Sequence, residues 1–145
     1  MIIVLHLASG CGVDSTPRIE RGFNGSTAEA VADKLSSLAG GCDPHVQLDA
    51  KSSDRWIDTV SCTIQIDGDE VSVTADIYED ASAIGEGVKD RQALTDEVAS
   101  RAEDLGVDIG SLGPRYFVEC GDFTVGAETE SAATALGSLL DCSPL

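Results

Sequence analysis

Cysteine and histidine are the side chains in this chain best suited to chemistry: thiols at Cys11, Cys42, Cys62, Cys120 and Cys142, and imidazoles at His6 and His45. A thiol can carry a covalent group, ligate a metal or pair with another thiol. With Cys11 set aside, the remaining four allow three pairings. Cys42 with Cys62 and Cys120 with Cys142 is the preferred one, because each pair joins a strand to the end of a neighbouring helix in the element reading below. Closing loops of about 20 residues would stabilise the fold by roughly 3 kcal/mol each in the chain-entropy model. A zinc site competes weakly, since no Cys-x-x-Cys spacing occurs and His45 is the one histidine downstream of Cys11. The same scarcity limits catalysis. A Ser-His-Asp or Cys-His site needs a base, His45 adjoins Pro44 in a loop, and no Gly-x-Ser-x-Gly elbow is present.

The carboxylates add little. Asp67, Asp69 and Glu70 read as a hairpin tip without the spacing of an EF-hand loop. Pairs such as Glu79-Asp80 and Glu103-Asp104 are too common in so acidic a chain to mark a glycosidase. Gly85-Glu86-Gly87 is followed by Val88-Lys89-Asp90 and lacks the full phosphate-loop pattern. No catalytic residue, cofactor or metal ligand is predicted.

Cys11 is different because of what precedes it. Met1 to Leu5 and Leu7 form a short apolar run, and Ala8-Ser9-Gly10-Cys11 resembles the lipobox at which bacterial enzymes attach a diacylglyceryl group and cleave before the cysteine. Small residues let a peptidase approach extended backbone, and the sulfur carries the lipid. The match departs from the usual pattern at Ala8, where Leu is commoner, and no Lys or Arg precedes the run. The expectation is a signal peptide over 1–10, truncated so that the natural start lies upstream. A lipid carrying at least two chains on Cys11 would anchor the protein stably to the membrane. The competing reading makes Ile2 to Leu7 a buried edge strand in a cytosolic protein with five free thiols.

The chain has 145 residues, enough for one domain with a modest core. No later apolar run is long enough to span a bilayer. With 26 acidic against 9 basic residues and a net charge of −17, it lacks the basic footprint that nucleic acid requires. A basic partner or a loosely held cation would suit the charge, although solubility alone explains it.

Several elements follow from periodicity. Residues 11–25 are polar, carry Pro17 and read as a tether, leaving 26–145 as a single domain. Ser26-Thr27-Ala28-Glu29 has the form of a capping box, and Ala28, Val31, Ala32, Leu35 and Leu38 recur at helical spacing until Gly40-Gly41. Thr59 to Ile66 alternates, with Val60, Cys62, Ile64 and Ile66 facing inward. Asp67-Gly68 turns the chain, and Val71, Val73, Ala75 and Ile77 continue the inward face. Trp56, just before the first strand, reads as a lid on the core. A helical region from Asp80 or Ser82 to about Leu105 carries Ile84, Val88, Val98, Ala102 and Leu105, with a break expected near Val88 because of Gly85 and Gly87. Arg115 to Val125 reads as a third strand, bulged at Gly121, and Glu128 to Asp141 as a last helix.

The fold expected is α+β: a small, three-stranded, mostly antiparallel sheet, a hairpin plus one strand, with about three helices on one face. The crossover helix favours a third strand parallel to the second and beside the first. The other face, with Thr59, Ser61, Thr63, Gln65, Ser72, Thr74 and Asp76, would be exposed and rich in hydroxyls, a possible binding face.

The lipobox, the tether, a helix ending near a cysteine and the hairpin Ser61-Cys62-Thr63-Ile64-Gln65-Ile66-Asp67-Gly68 together resemble small cell-envelope lipoproteins of actinobacteria. The scarcity of Asn and Lys also suits a high-GC host. That resemblance implies an exported, non-enzymatic protein. The function expected is binding of another envelope protein or a wall component by a lipid-anchored extracytoplasmic domain. The alternative is an envelope hydrolase, or a modulator of one, using His45.

Overall fold

The computed structural model describes residues 21–42, 46–47, 55–108 and 113–145. Cys11, the expected signal segment and His45 lie outside the described residues. Among the described residues three helices, α1 (Ala28–Ala39), α2 (Ile84–Leu105) and α3 (Glu130–Leu140), accompany a sheet of six strands. In chain order these are β1 (Val46–Gln47), β2 (Asp58–Ile66), β3 (Asp69–Ile77), β4 (Tyr116–Glu119), β5 (Phe123–Ala127) and β6 (Ser143–Pro144). They lie in the order β1-β2-β3-β5-β4-β6, and every neighbouring pair is antiparallel.

The β2–β3 hairpin has the register that its alternation requires, Val60 opposite Ala75 and Cys62 opposite Val73. Its two-residue turn is Asp67-Gly68, both with positive φ (51° and 85°), the conformation that matches the twist of the flanking strands. Val60, Cys62, Ile64, Val73, Ala75 and Ile77 are buried on one face with Val118, Val125 and Ala127 from β4 and β5. Over them pack Val31, Ala32 and Leu35 of α1 and Leu136 and Leu140 of α3.

Three expectations are corrected. Residues 115–125 form no single bulged strand. Gly121, at φ 84°, reverses the chain, Cys120 donates its N–H to the carbonyl of Phe123, and β4 and β5 become a second hairpin. Second, β5 pairs antiparallel with β3, so nothing lies parallel beside β2. The crossover still sends β4 along the direction of β3, but β5 is inserted between them. Third, the helices occupy both faces. α1 and α3 cover the apolar face, whereas α2 crosses the other, where Arg91 reaches Asp76 and Thr59.

Smaller differences have local causes. The cap of α1 is Thr27 rather than Ser26, its hydroxyl accepting the N–H of Ala30. The tether's last residues belong to the fold. Asp122, almost fully buried, accepts the backbone N–H groups of Asn24 and Ser26, and Phe23 donates its N–H to the carbonyl of Tyr78. No break occurs near Val88. Asp80 caps a 3-10 turn at Ala81–Ala83, and α2 runs on for 22 residues to a left-handed cap at Gly106.

Two disulfides join helix ends to the sheet, Cys42 to Cys62 and Cys120 to Cys142, the pairing read from the sequence. The two halves repeat one layout. Cys42 follows α1, and the chain then pairs with β2 as β1; Cys142 follows α3, and the chain then pairs with β4 as β6. Each helix is thereby tied at its C-terminus to one half of the sheet. Formed bridges of this kind belong to an oxidising, extracytoplasmic compartment. No helix among the described residues is long and apolar enough to cross a membrane.

Candidate functional site

The hydroxyl-rich face divides in two. Thr59, Thr74 and Asp76 are buried, whereas Ser61 and Ser72 are half-buried and Thr63 and Gln65 exposed, so only the end near the turn is open. Helix α2 makes the difference. Its inward residues Ile84, Gly87, Arg91 and Thr95 recur at helical spacing, and Arg91 lies over β2 and β3. Arg91 donates from Nε to Asp76 Oδ2 at 3.0 Å and from Nη2 to Thr59 Oγ1 at 3.1 Å, and makes a second bond to Asp76 Oδ1. Trp56 covers the guanidinium, 4.2 Å from the ring centroid, as a lid on this cluster rather than as an exposed contact. Tyr78 and Ile84 pack beside it.

Three buried polar atoms near this pair, Trp56 Nε1, Tyr78 Oη and Thr124 Oγ1, make no well-formed hydrogen bond among the described residues. Burial pushes the Tyr78 phenol well above its ordinary range, and the Asp76 carboxylate adds to the effect. The cluster is closed off from solvent, so Asp76 and Arg91 act on each other and on the helix that carries Arg91. Neither Asp76 nor Arg91 stands out in the sequence as a pair. The available signal is position, because Arg91 falls on the apolar stripe seven residues after Ile84 and Asp76 lies within a strand, one residue before its end.

The open concavity is on the opposite face, at the other end of the molecule. One part, about 560 Å³, lies between Leu38 and Ala39 at the end of α1, Gln65, Ile66 and Asp67 at the hairpin turn, and Ala135, Ser138 and Leu139 of α3. A second part, about 320 Å³, continues from Ile66 and Asp67 past Asp69, Glu70 and Val71 to the first turns of α3. Ile66, Asp67 and Ala135 line both, so the two form one groove. Leu38, on the apolar stripe of α1, is expected in the core. Leu38 is instead 44% exposed and Leu139 half-buried, and both line an open groove with the hairpin turn.

Asp67, Asp69 and Glu70 rim the groove, and among the described residues no Lys or Arg lines it. The sequence contains neither residue between Arg55 and Lys89 nor after Arg115. Among the described residues this end is therefore acidic, as the hairpin-tip carboxylates alone did not reveal. Among the described residues no group of three or more His, Cys, Asp or Glu is placed to hold a metal ion. Asp80 has its carboxyl pulled below the usual range by the N–H and hydroxyl of Ser82, but it caps the turn before α2 and takes no part in the groove.

The fold and cross-links define a disulfide-stapled α+β domain with a buried ion pair on one face and an open acidic groove on the other. Compared with known proteins, the chain matches no family model, no curated protein and no solved structure.

Proposed function

We propose that this is an exported binding domain, held at the outer face of a membrane by lipid on Cys11 and acting without catalysis on another envelope protein or a wall component. The observation that carries the reading is the pair of disulfides, which ties both helices over the apolar face to the sheet and suits an oxidising compartment. The lipobox-like Ala8-Ser9-Gly10-Cys11 supplies the attachment point. Binding is favoured over chemistry by how the charges are used. Asp76 and Arg91 satisfy each other, Asp122 holds backbone amides, and the open groove presents apolar side chains and carboxylates. The test is the intact mass of the protein isolated from its host, before and after reduction and alkylation. The expected result is a chain beginning at Cys11 with a diacylglyceryl adduct and four thiols that react only after reduction. A chain retaining Met1 with five freely alkylated thiols overturns the proposal.

A further inference from the structure

The groove between α1 and α3 has the two properties of a peptide-docking surface, an apolar floor and a rim of one charge sign. Leu38, Ile66, Ala135 and Leu139 form the floor, and Asp67, Asp69 and Glu70 stand on one side. No partner among the described residues neutralises these three carboxylates, and all three are exposed. Together with the missing Lys and Arg along this part of the chain, they hold a local negative field that attracts cationic groups and repels anionic ones.

We infer that this groove docks a basic amphipathic segment of a partner protein, with its apolar side chains on Leu38, Ile66 and Leu139 and its Lys or Arg side chains at the hairpin tip. The inference rests on the binding reading above and names the partner's chemistry. A bare cation would use the carboxylates but leave the apolar half of the groove uncovered. An apolar surface without charge would gain nothing from the rim. A segment carrying both fits both parts, in the manner of an amphipathic helix laid into an apolar groove. The disulfide Cys42–Cys62 ties the segment just after α1, whose last residues line the groove, to β2, which limits what must be ordered on binding.

The test is a titration of the isotope-labelled, disulfide-bonded full chain with a synthetic amphipathic peptide of leucine and lysine. Oligolysine of equal charge serves as the comparison. The expected result is saturable shifts confined to the ends of α1 and α3 and to the β2–β3 turn, with binding about tenfold weaker for Asp69→Lys/Glu70→Lys and for Leu38→Ser. The reversals Glu97→Lys/Glu103→Lys, which change net charge equally on α2, leave affinity within about twofold. Oligolysine binding as tightly as the amphipathic peptide, equal losses from both reversals, or shifts centred on α2 would each overturn the inference. Such a failure would leave the anchoring proposal standing, since that rests on the mass of the Cys11 adduct. A failed mass test would likewise leave the titration readable.

Discussion

Asp76 and Arg91 show how a residue's role depends on what covers it. A carboxylate near a strand end on the polar face of a hairpin would normally be solvated; here it is fully buried and bonded through two oxygens to a guanidinium that is itself buried. Removing one partner strands the other charge in a low-dielectric site, which costs far more than the pair contributes as a whole. Asp76→Asn and Arg91→Met are each expected to lower unfolding stability by about 3–5 kcal/mol, read from urea midpoints. The double variant Asp76→Leu/Arg91→Met should lose much less than the two single losses combined. Additive losses would mean that the pair does not act as a unit. Thr59, expected as part of an open binding face, is a third member of this cluster through its bond to Arg91.

At the scale of elements, α2 was the hardest to place and is the most unusual. Its inner face is made of Ile84, Gly87, Arg91 and Thr95 rather than an apolar stripe, and no side chain beyond Thr95 is fully buried. Val98 and Leu105, expected against the core, are exposed. The two glycines that seemed to weaken the helix have opposite roles. A methyl group on Gly85 would meet open space, whereas one on Gly87 would strike the Tyr78 ring. Gly85→Ala is therefore expected to stabilise by about 0.5 kcal/mol through helix propensity alone. Gly87→Ala should destabilise by about 1–3 kcal/mol by forcing Tyr78 out of its site. Thermal unfolding of the two variants side by side separates propensity from packing. The second hairpin carries a similar lesson, since Gly121 in mid-segment is compatible with both a bulge and a reversal, and the pairing of β4 with β5 distinguishes them.

For the whole molecule, the two disulfides are the main cross-links between layers. They close sequence separations of 20 and 22 residues, for which the chain-entropy model gives about 3 kcal/mol each. A domain of this size has about 5–15 kcal/mol in total. Full reduction is expected to remove a large share of that stability, visible as a fall in the denaturant midpoint with a reducing agent. An unchanged midpoint would show that the bridges cross-link parts already held by the core.

What the sequence determined by itself was local or combinatorial. Strict alternation and an Asp-Gly turn specify the β2–β3 hairpin, since a two-residue loop and a period of two leave one register that buries Val60, Cys62 and Ile64. Helical spacing, with a hydroxyl cap and a glycine end in the case of α1, located α1 and α3 within a residue or two. Cysteines adjoining those helix ends were enough to choose one of three pairings. The tertiary structure decided what depends on contacts between distant segments. Strand order was one such matter, because inserting β5 between β3 and β4 brings together segments that no local pattern links. Another was the face taken by α2, because an arginine on an apolar stripe is favourable only where a buried carboxylate waits opposite it. The groove was the third. Leu38 and Leu139 obey the same periodicity as core residues, and their exposure depends on how α1, α3 and the hairpin turn pack together, which single-element patterns do not encode.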